Sequence, residues 1–322
     1  MHAIRIHGHG GIETLQWEEL PQPQPKAGEL RVRVEAAGVN FLDIYQRTGL
    51  YALTLPAILG QEIAGIVEAV GPGVAGFKVG ERIATARALG GYAEETIVPA
   101  AQAVAVPAGV TSQQAAALML QGMTAHYLAC STFPLKAGDT AVVHAAAGGV
   151  GLLLVQIAKR RGARVIATAG TADKAMLARQ AGADETILYR EEDFSAAVKR
   201  LTDGKGADVV YDAVGKDTFE GSLNSLRPRG LMVSYGNASG PVAPFPALLL
   251  GQKGSLFLTR PTLNHYTLTR AELESRAQDL FAWVAEGWLK LHIGATFPLA
   301  QAAEAQRALQ ARETTGKILL VP

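Results

Sequence analysis

The residues best placed to do chemistry are a run of small ones, Ala145-Ala146-Ala147-Gly148-Gly149-Val150-Gly151. The run follows an apolar, β-branched segment over 140–144 and leads into an amphipathic stretch over 149–161. Small side chains let the backbone approach a pyrophosphate, and the start of the following helix offers unpaired N–H groups and a positive dipole end to the anion. A tight strand-to-helix turn without a ligand is the plainer alternative. The position of the run, at the head of five or six alternating strand and helix segments, favours a dinucleotide site.

The choice of dinucleotide depends on the end of the next strand. A fold selective for NAD places an acid there to hold the ribose hydroxyls, but this chain reads Thr168-Ala169-Gly170-Thr171-Ala172, with no acid until Asp173 and then Lys174. A small, neutral strand end with a cation one turn later suits the extra 2′-phosphate of NADPH, and Tyr189 could add a hydroxyl donor. Lys174 as an ordinary solvated helix residue is the competing reading.

These residues need a scaffold, and its rhythm is legible. From Met1 to about Gln121 the signals are short strands, at 30–34, 63–70 and 95–98, punctuated by Gly71-Pro72-Gly73, Gly76 and Gly80. This part reads as mostly β. After about Gly122, strands over 140–144, 165–168, 186–188, 208–212, 231–235 and 255–259 alternate with helices over 149–161, 172–181 and 191–201, the pattern of a parallel sheet. A helix over 270–286, a strand over 291–297, a helix over 300–310 and a strand over 318–321 follow, and this last segment is expected to return to the first domain. The fold class is α/β, a doubly wound Rossmann sheet beside a mostly β domain, divided at 1–122, 123–265 and 266–322. A cleft between domains is the default ligand site.

Composition narrows the class. With 322 residues, 48% hydrophobic and 18% charged, the chain is long enough for two packed domains. A formal charge of +1 and the lack of a Lys/Arg run speak against nucleic acid or an anionic membrane as the main partner. The single cysteine, Cys130, excludes an intrachain disulfide framework and predicts a cytoplasmic setting. The first residues lack the pattern of a signal peptide, and no apolar run approaches the roughly 20 residues that cross a bilayer.

With these residues in view, the chain resembles the zinc-independent quinone oxidoreductases, the ζ-crystallin-like branch of the medium-chain dehydrogenase/reductase superfamily. The likeness runs through Gly38-Val39-Asn40-Phe41-Leu42-Asp43-Ile44-Tyr45, Arg47-Thr48-Gly49-Leu50-Tyr51, Gly60-Gln61-Glu62-Ile63-Ala64-Gly65 and Lys78-Val79-Gly80-Glu81-Arg82. It continues through the 144–151 turn, Val210-Tyr211-Asp212-Ala213-Val214-Gly215 and 230–237. It implies a GroES-like catalytic domain formed from both ends of the chain, a central Rossmann domain and a homodimer paired through the outermost sheet strands.

The resemblance also implies site residues. Asn40, Phe41, Asp43 and Tyr45 would border the nicotinamide, with Thr124 beside it. Ala147, Gly148, Gly149 and Val150 would hold the pyrophosphate, and Gly170, Thr171, Lys174 and Tyr189 the adenosine phosphate. Val214, Tyr235, Gly236, Phe257, Leu258 and Thr259 would line the rest, with Arg312 or Lys317 reaching in. Where zinc-dependent relatives carry Gly-His-Glu, this chain has Gly60-Gln61-Glu62, and Asn40 stands in the region of a ligand cysteine, so no zinc site is expected.

His144, on a central strand, reads as a hydrogen-bonded core histidine rather than a base. Tyr45 and Tyr51 are either core aromatics or substrate-site residues in a loop-like stretch. Without a Lewis acid the acceptor must already be electrophilic, which selects quinones or activated alkenes. Asn40, Tyr45, Tyr51 and Gln61 would orient its oxygen as hydride, or single electrons, pass from the nicotinamide. The alternatives are an NADPH-dependent 2-alkenal or enoyl C=C reductase and an NADPH-binding structural or regulatory protein, the latter disfavoured by the lack of a basic stripe.

Overall fold

Along Glu29–Val39 buried and partly exposed side chains alternate as far as Val34, and Ala36 to Val39 are all buried. This strand is the spine of the first unit in the computed structural model, which describes residues 1–322. The chain divides into two compact units, Met1–Met123 with Thr267–Pro322, and Thr124–Tyr266.

In the first unit Glu29–Val39 pairs antiparallel with Glu62–Val70, Glu95–Pro99 and Lys317–Val321. Ile293–Pro298 lies parallel to Lys317–Val321 at one end of this seven-stranded sheet, and Arg82–Thr85 and Val104–Ala105 extend the other. A smaller sheet joins Gln16–Glu19, His2–Ile6 and Ala57–Ile58. Between them lies a core of Ile4, Ile6, Leu30, Val32, Ile63 and Tyr92, all closed to solvent or nearly so. Two helices interrupt the segment expected to be mostly β, Phe41–Arg47 and Ser112–Tyr127. The second is buried on every side from Ala115 to Met119, so no polar face marks its period.

The second unit is a six-stranded parallel sheet in the order Glu185–Leu188, Arg164–Ala169, Thr140–Val143, Ala207–Asp212, Leu226–Ser234 and Phe257–Thr259. The chain order reverses between Thr140–Val143 and Ala207–Asp212, the switch point at which doubly wound sheets bind ligands. Leu226–Ser234 begins earlier than expected, because Pro228 and the positive φ of Arg229 (58°) imitate a turn inside a strand whose pairing shifts register there. No helix is long and apolar enough to cross a membrane.

Candidate active site

At the switch point the backbone turns at Ala145 (φ 50°), and Gly148 N–H bonds Ala145 O at 2.9 Å. Helix Gly149–Arg160 then starts with no side-chain cap and no acid in its first turn. Its leading N–H groups, beside Ala147, Gly148 and Val150, are the donors a pyrophosphate requires.

Beneath this turn lies a closed polar network. Ser222 Oγ and Thr218 Oγ1 donate to Asp212 Oδ2 at 2.8 and 2.7 Å, and the N–H groups of Val214 and Gly215 donate to Oδ1 at 2.7 and 3.0 Å. With its hydroxyl hydrogen committed, Ser222 can only accept from His144 Nε2 at 3.0 Å, and His144 Nδ1 accepts from Thr168 Oγ1 at 2.8 Å. Burial lowers the imidazole pKa and outweighs the opposing charge of Asp212, so His144 is a neutral core histidine. The network fixes the ends of three strands and the 212–215 turn that carries Val214. Arg260 secures the next loop, its Nη1 donating to Ser234 O and Gly236 O at 3.0 Å each. Tyr235 follows Ser234 with its N–H on Asp212 O at 2.8 Å.

The end of strand Arg164–Ala169 carries no acid, and the first one, Asp173, lies on the opening turn of the next helix. Thr171 caps helix Ala172–Gln180 by accepting from Lys174 N, and Lys174 is half-buried on its first turn. A side chain at Gly170 would have its Cβ 2.8 Å from Tyr189 Oη and 3.4 Å from Arg190 Nε. The glycine therefore lets the Tyr189 hydroxyl and the Arg190 guanidinium approach the strand end closely. Arg190 is exposed and was not singled out from sequence. These residues fit NADPH: uncapped helix N–H groups for the pyrophosphate, and Lys174, Tyr189 and Arg190 for a 2′-phosphate.

In the first unit Asn40, Phe41, Asp43 and Tyr45 are brought together by helix Phe41–Arg47, so Tyr45 lies on a helix and not in the loop-like stretch expected. Tyr51 N–H bonds Tyr45 O at 3.0 Å, and the two rings lie 5.3 Å apart with Phe41 6.1 Å from Tyr45. Gln61 is half-buried next to the fully buried Glu62. Lys317 lies inside this unit, paired with Glu62 and Asn40. Asp43 is also fully buried, with Oδ2 accepting from Tyr92 Oη and Asn40 N at 2.8 Å each. Burial pushes its carboxyl up to about 7, against the pull of those donors and of Lys317.

The remaining candidates are spread over both units. Thr124 is buried and Leu258 and Thr259 half-buried in the second unit, Phe257 stands 61% exposed on its outermost strand, and Arg312 is exposed on a turn of the first. No three His, Cys, Asp or Glu side chains converge so as to hold a metal ion. Sequence reasoning missed Glu62, Arg190 and Arg260. An acid opening the otherwise apolar run Glu62-Ile63-Ala64-Gly65 was the available signal for the first.

Residues 26–108 match the alcohol dehydrogenase GroES-like domain, and residues 149–284 match the zinc-binding dehydrogenase family. A β-rich unit of the first kind with a dinucleotide sheet of the second defines a medium-chain dehydrogenase/reductase. Full-length comparisons narrow the class. Quinone oxidoreductase of Pseudomonas aeruginosa is 48% identical over 99% of both chains, and 2-haloacrylate reductase of a Burkholderia species is 45% identical over 99% of this chain and 98% of that one. The crystal structure of Escherichia coli quinone oxidoreductase complexed with NADPH superposes with a TM-score of 0.98 at 45% identity, covering 100% of both. The chain belongs to the quinone oxidoreductases of the medium-chain dehydrogenase/reductase superfamily.

Proposed function

We propose that this protein is an NADPH-dependent quinone reductase. The observation that carries the reading is the outer end of the crevice, where an uncharged strand end at Ala169 and Gly170 meets Lys174, Tyr189 Oη and Arg190. NADPH, when bound, supplies the hydride. The chain binds, orients and polarises: the helix start at Gly149 takes the pyrophosphate, and the loops carrying Val214, Tyr235 and Gly236 set the nicotinamide face. Phe41, Tyr45 and Tyr51 form an aromatic wall against which a planar acceptor stacks, with the tyrosine hydroxyls and Gln61 as donors to the charge that develops on its oxygen. The hydroquinone anion takes its proton from water, so no dedicated acid is required.

The homodimer belongs to this proposal. Phe257–Thr259 is an outermost strand with Phe257 exposed, and pairing across a two-fold axis satisfies its free edge. So does a cytoplasmic setting, which suits the free thiol of Cys130. The relative named 2-haloacrylate reductase favours a second reading, reduction of an electron-poor C=C bond by the same crevice. NADPH oxidation across a panel of 1,2- and 1,4-quinones, 2-alkenals and 2-haloacrylates decides the matter. Quinones should give the highest kcat/KM. Turnover confined to the alkenes would move the assignment to C=C reduction, and binding of NADPH without turnover would end the enzyme reading.

A further inference from the structure

We infer that Lys317 is a positioning residue and not a contact for the coenzyme: its ion pair with Glu62, acting through Asn40, holds the aromatic wall of the acceptor site in place. Lys317 is 2% exposed, Glu62 0% and Asn40 4%. Charges this deep persist only when paired and hydrogen-bonded. An ammonium has three N–H donors, and those of Lys317 meet Glu62 Oε2, Asn40 Oδ1 at 2.9 Å and Val39 O at 3.4 Å. None remains for a phosphate or a carboxamide.

Asn40 is equally committed. Its amide N–H groups go to Glu62 Oε2 at 2.8 Å and Gly38 O at 3.2 Å, and its Oδ1 accepts from Lys317 and from Gln121 Nε2 at 3.2 Å. The remaining oxygen of Glu62 accepts Leu120 N–H at 2.5 Å. One buried cluster thus joins strands Glu29–Val39, Glu62–Val70 and Lys317–Val321 to helix Ser112–Tyr127, and fixes where helix Phe41–Arg47 begins. Gly38 makes room for it, since a Cβ there would meet Glu62 Oε2 and lie 2.6 Å from Lys317 Nζ.

The helix that starts at Asn40 carries Phe41 and Tyr45, and Tyr45 O holds Tyr51. A shift at the junction therefore moves all three rings. This consequence rests on the proposed acceptor site, whereas the anchoring of the junction does not. Removing one partner of a buried pair strands a charge, whereas replacing both by neutral groups leaves stability nearly intact and separates anchoring from bulk stability.

The test compares Lys317→Met and Glu62→Gln/Lys317→Met with the wild type in four measurements: Tm, NADPH Kd by direct binding, kcat with the acceptor that the wild type reduces, and amide exchange over residues 40–47. Lys317→Met should lower Tm by roughly 6–12 °C. The double variant should recover most of that loss, and it keeps the test open if the single variant does not fold. In the double variant exchange over 40–47 should quicken about tenfold and kcat should stay on the order of 10- to 100-fold low, with NADPH Kd within about threefold of wild type. A Kd weakened tenfold or more in the double variant would place Lys317 on the coenzyme. Recovery of both exchange and kcat there would reduce the pair to a staple without a positioning role. Should the wild type reduce no acceptor of the panel, the exchange and Kd results still decide the anchoring while the function reading fails by itself.

Discussion

Replacing Asp43 with asparagine should change how stability depends on pH, and the size of the change follows from one buried carboxyl. Asp43 titrates near 3.8 in the unfolded chain and at about 7 in the folded one, because burial disfavours its charge. Between those values the folded protein holds a proton that the unfolded chain has released. The contribution is therefore fully present below about pH 4, falls as pH rises, and levels off above about pH 7. About three units at 1.36 kcal/mol each amount to on the order of 4 kcal/mol. Asp43→Asn locks in the neutral state and keeps an oxygen to accept from Tyr92 Oη and Asn40 N. Urea unfolding of both proteins at pH 5, 6, 7 and 8 gives a difference from which the titrating groups that do not interact with Asp43 cancel. Relative to wild type, the variant should gain steadily from pH 5 to 7 and little thereafter. A difference that stays flat over the range, or that turns against the variant as pH rises, would refute the buried neutral carboxyl.

Four further outcomes are expected. Lys174→Ala should weaken NADPH binding about 10- to 150-fold, the worth of one charge-assisted hydrogen bond, and leave NADH nearly unchanged, while Ala169→Asp reverses the preference. Equal losses for both coenzymes in Lys174→Ala would mean the lysine does not read the phosphate. Arg190→Ala should also lower NADPH affinity selectively, by less because Arg190 is exposed, as steady-state kinetics with both coenzymes will report. Dialysis against a strong zinc chelator should leave the NADPH–quinone rate intact, and loss of most of it would contradict the reading of Asn40 and Gln61 as non-ligands. The wild type should sediment as a dimer at micromolar concentration and Phe257→Lys as a monomer; a monomeric wild type would discard edge-strand pairing.

What was legible in the sequence was what neighbours in the chain decide together. The turn at 145–151 announces itself through its small residues and flanking periods, and the second unit's parallel sheet follows from repeated strand–helix alternation. Helix Phe41–Arg47 was hidden because it buries Asp43, Gln46 and Arg47, polar residues that break an apolar stripe and whose partners lie elsewhere. Arg47 Nη2, for instance, donates to Gln310 Oε1 at 2.9 Å across 263 positions. Glu62 and Lys317 are 255 positions apart, and no local pattern pairs them. Arg190 was passed over because, followed by Glu191 and Glu192, it reads as part of a solvated charge run.

Strand Lys317–Val321 sits inside the seven-stranded sheet, with Glu29–Val39 on one side and Ile293–Pro298 on the other. It follows every other strand of that sheet in chain order, yet it fills an interior place. All six strands of the Thr124–Tyr266 unit have been made before then. Until residue 321 leaves the ribosome, the end of Glu29–Val39 at Ala37, Gly38 and Val39 lacks a partner strand, and Glu62 waits in its strand without its counter-ion. Assembly of the first unit is thus a closure over nearly the whole chain, slow by its contact order and exposed to capture by chaperones or by other nascent chains. Loss of the five residues of Lys317–Val321 alone would part Ile293–Pro298 from the rest of the sheet.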